Sequence, residues 1–190
     1  TMNTGLISSR YAKALLEHAT AAGEQQQVYL RMKTLAAMYT EVPSLRRALS
    51  GTTNTKDNKL AILRTACGGD LPPSLERMIR LIMENEREEL MHYIALRFTE
   101  LYRDRFEIRY GKLITAVPID EETEKRFIGR IREIVGGELE VEPMVDPGII
   151  GGFILYLDDT RWDASVRGEL YRIRNHFRIL DASIGNKMKQ

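Results

Sequence analysis

One cysteine, three histidines, no long apolar run and no excess of either charge set the first limits on this 190-residue chain. A single cysteine, Cys67, has no partner for an intramolecular disulfide and excludes any multi-cysteine metal site. His18, His92 and His176 lie far apart in sequence. The longest apolar run, Ile149 to Leu157, is broken by Gly151 and Gly152. It falls well short of the ~20 residues that cross a bilayer. No charged-then-apolar leader opens the chain, and Thr1, ahead of Met2, is read as a cloning remnant. Lys and Arg number 28 against 27 Asp and Glu, a net charge of +1. A dedicated nucleic-acid binder shows a basic excess, because phosphate neutralisation dominates its affinity. Neither side of a split at Arg105 departs far from balance, with 15 basic and 12 acidic residues up to it and 13 and 15 beyond. With 43% hydrophobic residues, the chain can offset its ordering entropy and is not disordered throughout. The expectation is a soluble protein from a reducing compartment.

Helical spacing fills the first hundred residues. Ile7, Tyr11, Ala14, Leu15, His18 and Ala22 recur three or four apart, with Asn3 or Thr4 as a cap and Gly23 as a stop. Val28, Met32, Leu35 and Tyr39 mark a second helix. Pro43 opens a short third with Leu45 and Leu49, stopped by Gly51. Thr55 caps a fourth bearing Leu60, Leu63 and Cys67, closed by Gly68-Gly69. Pro72-Pro73 open a fifth where a missing amide is harmless, with Leu75, Met78, Ile79, Ile82 and Met83 as its stripe. A sixth carries Leu90, Ile94, Phe98 and Leu101. Short connections predict a six-helix up-and-down bundle over residues 1–105.

The first helix is apolar over roughly 200° of its circumference, about twice the stripe a surface helix needs. Two readings stand. Either the helix is buried on most sides, or one half-face meets the core and the other meets a partner helix lying in a groove. Leu81, about 100° off the main arc of the fifth helix, repeats the hint.

From Lys112 the period changes. Leu113, Thr115 and Val117 alternate with Ile114, Ala116 and Pro118, which predicts a strand covered on both faces. Asp120 caps a helix striped by Phe127, Ile131 and Ile134 and ended by Gly136-Gly137. Glu138 to Glu142 alternates as a half-exposed strand with an acidic outer face. Asp146-Pro147-Gly148 is a turn, Phe153 to Leu157 a buried strand, and Asp158-Asp159 turn it into a short strand through Trp162. A last helix runs from about Ser165 to Leu180, with Val166, Leu170, Ile173 and Phe177 expected to pack on the sheet. The fold class is α+β and mostly helical. The bundle is followed by a small domain over residues 106–180, ordered β-α-β-β-β-α, with a mixed sheet and two helices. Residues 181–190 read as a loose polar tail.

Candidate chemistry is thin. Asp146, Asp158, Asp159 and Asp163 are weighed as a carboxylate metal site against ordinary turn and cap residues, which aspartate favours. Gly151-Gly152 is weighed as a phosphate cradle, but it precedes a strand rather than a helix and lacks the rest of any such fingerprint. Cys67, on an apolar stripe, reads as a small core residue. No nucleophile and base pair stands out, so no catalytic residue, metal or cofactor is expected. Arg167, Arg174 and Arg178 fall within about 40° on the last helix. They form either a solvated face or a ridge for an acidic partner helix.

Four stretches carry a family resemblance that spans essentially the whole chain. Arg10-Tyr11-Ala12-Lys13-Ala14-Leu15 resembles the Tyr-Ala-(Lys/Arg)-Ala-Leu opening of the delta subunit of F-type ATP synthase, called OSCP in mitochondria. Met83-Glu84-Asn85-Glu86-Arg87 resembles its Glu-Asn-(Gly/Lys)-Arg element, with Glu86 departing from the common glycine or lysine. Val145 to Phe153 is similar to its Asp-x-x-(Ile/Leu)-(Ile/Ala)-Gly-Gly signature, through Asp146, Gly151 and Gly152. Asp163 to Leu170 is similar to its Asp-x-Ser-(Val/Ile)-Arg-x-x-Leu element, through Asp163, Ser165 and Arg167.

The resemblance implies a non-catalytic stator subunit on the cytoplasmic face of a bacterial inner membrane, associated with the membrane only through its complex. It implies that the helical bundle binds the N-terminal helix of an alpha subunit, chiefly between its first and fifth helices. The residues there are Tyr11, Ala14, Leu15, His18, Met78 and Leu81. It also implies that the C-terminal domain binds the C-terminal region of the peripheral-stalk b subunit, with Arg167, Arg174 and Arg178 facing the stalk. The join would keep the hexamer still while the rotor turns. Two readings from other classes remain: a helical adaptor that binds nucleic acid or another protein complex, and a small hydrolase built on the aspartates.

Overall fold

The computed structural model describes residues 2–50 and 54–187. The chain divides into two compact units, Thr1–Phe106 and Glu107–Gln190.

The first unit is helical: α1 Met2–Ala21, α2 Gln25–Glu41, α3 Ser44–Ser50, α4 Lys56–Ala66, α5 Pro73–Glu84 and α6 Met91–Arg105, with a 3-10 turn at Glu88–Leu90. Local chemistry explains the joints. Gly23, at φ 71°, ends α1 in a left-handed turn that lets Glu24 N reach the Ala19 carbonyl at 2.8 Å. Thr55 caps α4 by accepting from Asn58 N. Pro72 offers no side-chain cap to α5, and the Glu24 carboxylate supplies one from the α1–α2 turn by accepting from Ser74 N at 2.9 Å. Hydrogen bonding to Ser74, the first cause, holds the Glu24 carboxyl below its usual range. The structure corrects one cap, since α1 is already helical at Met2, ahead of Asn3 and Thr4. Gly51, read as a stop, lies outside the described residues.

Packing does not simply follow chain order. α6 lies against α1 and α2, and α5 against α1. Leu15, Met32, Leu35, Leu63, Leu75, Ile79, Ile82, Ile94 and Phe98 are buried between them, with Cys67. Burial pushes the Cys67 thiol up to about 12, so it stays protonated and inert. A nearly enclosed ion pair, Lys59 to Glu88 at 2.9 Å, fastens α4 to the 3-10 turn.

The second unit comprises β1 Ile108–Thr115, α7 Glu121–Val135, β2 Glu138–Val145, β3 Gly152–Leu157, β4 Thr160–Ser165 and α8 Val166–Lys187, with a 3-10 turn at Pro147–Ile149. The sheet order is β2-β1-β3-β4. β1 runs parallel to β2 across the α7 crossover, and β1–β3 and β3–β4 are antiparallel. Leu113 sits opposite Leu155, and with Leu139, Leu157 and Ile131 of α7 they form the core of this unit.

Four expectations change here. β1 begins at Ile108 rather than Lys112, because Glu107, at φ 52°, turns the chain straight from α6 into the strand. The charged residues Arg109 and Lys112 hide that alternation in the sequence. β1 is also not fully covered on both faces. α7 covers the Leu113 side; on the other, Ile154 is buried at one end while Lys112 and Tyr156 stand exposed at the other. Finally, α8 does not lay its stripe on the sheet. Val166, Leu170, Ile173 and Phe177 are all exposed. β4 ends at Ser165 and α8 starts at Val166, so no loop exists to fold the helix back over the strands. α8 also continues past Leu180 to Lys187, since residues 181–187 contain no proline and a single glycine, Gly185, near the end.

Candidate partner-binding surfaces

α1 resolves its double-width arc into two strips. Ser8, Ala12, Leu15, Leu16 and Ala19 are buried and face the bundle core. Ile7, Tyr11, Ala14 and His18, within about 60° on the other side, are half-buried or exposed. The outer strip runs beside α5, whose matching strip carries Ser74, Met78 and Leu81. Leu81 is 44% exposed although α5 buries Leu75, Ile79 and Ile82. Polar contacts tie the two strips at their ends. Arg87 Nη1 donates to the Tyr11 hydroxyl at 3.3 Å, with its guanidinium 5.9 Å from the ring centre. His18 Nδ1 lies 3.3 Å from Ser74 Oγ. Glu86 adopts φ 55° in the turn after α5, a conformation that explains why glycine suits this position. Leu15 must be removed from the groove set: at 1% exposure it is a core residue, on the inner strip between Ala12 and Ala19.

The loop and cap residues of the second unit carry structural work. Gly152 has φ 71°, and a Cβ there would stand 2.1 Å from the Ala164 carbonyl oxygen. A Cβ on Gly151 would meet Val166 at 3.1 Å. Close approach to the β4 backbone therefore accounts for Gly152, and the Val166 side chain crowds Gly151. Asp146 caps the 3-10 turn by accepting from Gly148 N at 2.8 Å. Asp163 accepts from Ser165 N and Oγ at 3.0 and 2.6 Å, while Ser165 Oγ accepts from Gly168 N at 3.0 Å, fixing the start of α8. The Ser165 bonds, first, and Arg161 nearby hold the Asp163 carboxyl below its usual range. Asp158 pairs with Arg109 at 3.7 Å. Among the described residues no three metal-ligating side chains gather.

Of the arginine ridge, Arg167 lies 4.0 Å from Asp146, and Arg174 stacks over the Tyr171 ring at 5.4 Å. Arg178 is exposed. The ridge flanks the uncovered apolar stripe rather than bordering a packed helix. A second apolar surface was missed in the sequence. α7 covers only part of its sheet face, and beside it opens a cleft of about 400 Å³, lined by Phe127, Ile134, Phe153, Leu155 and Trp162 among others. Ile134 is 82% exposed there. Its place on the α7 stripe predicted burial, and the only available signal was that one crossover helix is too narrow for a four-stranded sheet.

The profile of the family described as ATP synthase delta (OSCP) subunit matches residues 7–177. The chain belongs to that family. An ATP synthase subunit delta from Bacteroides thetaiotaomicron is 38% identical over 178 residues, covering 93% of this chain and 96% of the relative. The organellar chromatophore subunit delta of Paulinella chromatophora is 31% identical, covering 88% and 92%. In fold, the chain resembles one from the cryo-EM structure of the Toxoplasma gondii mitochondrial ATP synthase hexamer, at TM-score 0.62 and 18% identity, covering 90% and 96%. As an ATP synthase delta subunit it is a non-catalytic part of a membrane-associated complex. No helix among its described residues is long and apolar enough to cross a membrane.

Proposed function

We propose that this delta subunit is the stator joint of its ATP synthase. The strip between α1 and α5 receives the N-terminal helix of an alpha subunit, and the second unit receives the C-terminal region of the peripheral-stalk b subunit, on the cytoplasmic face of a bacterial inner membrane. The hexamer is thereby held against rotor torque. One observation carries this reading: α1 buries one half of its apolar arc and leaves Tyr11, Ala14 and His18 open beside Met78 and Leu81. An apolar strip between two helices fits an amphipathic helix, whose burial contributes about 25 cal/mol per Å². The uncovered α8 stripe and the cleft beside α7 give the second unit apolar surface for the stalk, and Arg174 and Arg178 supply charge for its carboxylates.

Calorimetry with two peptides from the same organism tests the joint: the N-terminal segment of its alpha chain, and the C-terminal segment of its stalk b chain. Both should bind the full chain together and without competition. Reversing Arg174→Glu with Arg178→Glu should weaken the stalk peptide at low salt by about 0.4–2 kcal/mol, the sum of two exposed pairs. It should leave the alpha peptide untouched. Competition between the peptides would overturn the two-site reading. Equal stalk affinity for the double reversal and the parent at low salt would leave the ridge a solvated face.

A further inference from the structure

Ile150 combines two features that rarely coincide. Its backbone stands at φ 72° and ψ −41°, a strained positive-φ geometry outside the left-handed helical well that β-branched residues avoid, and the residue is 62% exposed. The loop imposes the conformation from both ends. Ile149, beside it, is completely buried. Asp146 N donates to the Thr115 carbonyl at 2.9 Å, Ile150 N donates to the Pro147 carbonyl at 3.0 Å, and Val166 N donates to the Gly151 carbonyl at 3.0 Å. A glycine would satisfy every one of these bonds without strain. The isoleucine is therefore explained by its side chain, and that side chain lies mostly in water.

Around it is an open hollow of about 310 Å³, lined by Ile150, Arg167, Leu170, Tyr171 and Arg174. Leu170 and Tyr171 are exposed. Arg174 is steadied over the Tyr171 ring, and Arg167 leans toward Asp146. The floor is apolar and both arginines stand at its rim. An occupant that fits has an aliphatic side chain for the floor and carboxylates to either side. Strain that persists in a fully braced loop marks a site where the strained residue serves function.

We propose that Ile150 is a strained anchor for the stalk: with Leu170 it forms the apolar seat of an acidic amphipathic helix, whose carboxylates pair with Arg174 and Arg167. This rests on the reading of the second unit as the stalk-binding unit, and the occupant is the C-terminal segment of the stalk b chain. Apolar seat and cationic rim divide the work. The seat sets most of the affinity, and the rim sets register and salt dependence.

The test is Ile150→Gly in the full chain, because glycine keeps the loop conformation and removes only the anchor. The unfolding midpoint should hold or rise, while affinity for a peptide of that stalk segment falls at least tenfold at both low and high salt. Arg174→Glu should lose affinity at low salt and approach the parent at high salt. Unchanged affinity in Ile150→Gly would overturn the anchor while leaving the stalk reading in place. If the parent does not bind the peptide at all, the stalk reading fails and the anchor falls with it. If sedimentation shows that the parent self-associates and Ile150→Gly does not, the occupant is a second copy and the assignment to the stalk is overturned.

Discussion

The two units put the same helical spacing to different use. In the first, the apolar stripes close on one another, and Leu63, Leu75, Ile79, Ile82, Ile94 and Phe98 are wholly withdrawn from water. In the second, the sheet core is a small cluster around Leu113, Leu139 and Leu155, and Ile134, Ile150, Leu170, Ile173 and Phe177 remain open. Period shows that a helix has a face to bury; it does not show which chain supplies the cover. Stability should divide accordingly. The bundle completes a core of its own and leaves only strips such as that of Leu81 open, whereas the second unit leaves a larger share of its apolar stripes in water.

Cutting the chain gives the largest contrast. Residues 1–106 should unfold cooperatively with helical circular dichroism, at a midpoint close to that of the first unit in the full chain. Residues 107–190 alone should melt earlier and gain on addition of the stalk peptide, by mass action. A molten first fragment would show that the bundle needs the second unit. Next in size is Gly152→Ala. Its Cβ would strike the Ala164 carbonyl oxygen at 2.1 Å, in a conformation that alanine resists. The cost is about 3 kcal/mol or more, which corresponds to roughly 12–24 °C in a unit of this size. Calorimetry of the full chain should show that shift in the second unit and none in the first, and two transitions moving together would deny their independence.

The two strips of α1 offer a contrast within one helix. Leu15→Ala should cost about 2–5 kcal/mol of stability, as a cavity in the core. Ala14→Glu, one residue away, should cost under about 0.5 kcal/mol of stability. It should lower affinity for the alpha peptide tenfold or more, about 1.4 kcal/mol, because a lone charge is left desolvated in the strip. If Ala14→Glu unfolds the bundle, its side chain belongs to the core. If affinity does not move, the partner helix lies elsewhere.

Most elements were legible because local chemistry fixed them: Thr55 and Asp120 as caps, Pro73 at the start of α5, Gly136 at the end of α7. The outer strip of α1 was legible as an excess, since an arc twice the needed width leaves one half outside the core. Its residue list was less so. Leu15 and Ala14 are adjacent in sequence and both apolar, and only the angle at which α6 packs on α1 decides which is inside. α8 was misjudged for a related reason. Its stripe reads like those of the bundle, and the deciding fact is the missing loop between Ser165 and Val166. Ile150 gave no signal, because a backbone dihedral set by bonds to Thr115 and from Val166 has no local sequence signature.

The smallest effect expected concerns Asp163, at the root of α8. Its carboxylate accepts from Ser165 N and Oγ and lies 2.6 Å from Arg161. These partners favour the charged form, so the folded pKa lies below the unfolded one. A carboxyl depressed in this way adds stability that is complete above the ordinary aspartate value, near ~3.9. That contribution declines as pH falls below it and is gone once pH passes the folded value. Asp163→Asn keeps an acceptor for Ser165 N but removes the charge, and so also removes the pairing with the positive start of α8. The loss should be about 0.5–1 kcal/mol at pH 7, or roughly 2–8 °C in the second unit. The gap between parent and variant should hold constant from pH 7 to about 5 and then close on acidification, with the parent's midpoint falling to meet the variant's. Paired melts across that range measure it. A gap that shows no narrowing as pH falls below ~4 would assign the effect to geometry rather than charge.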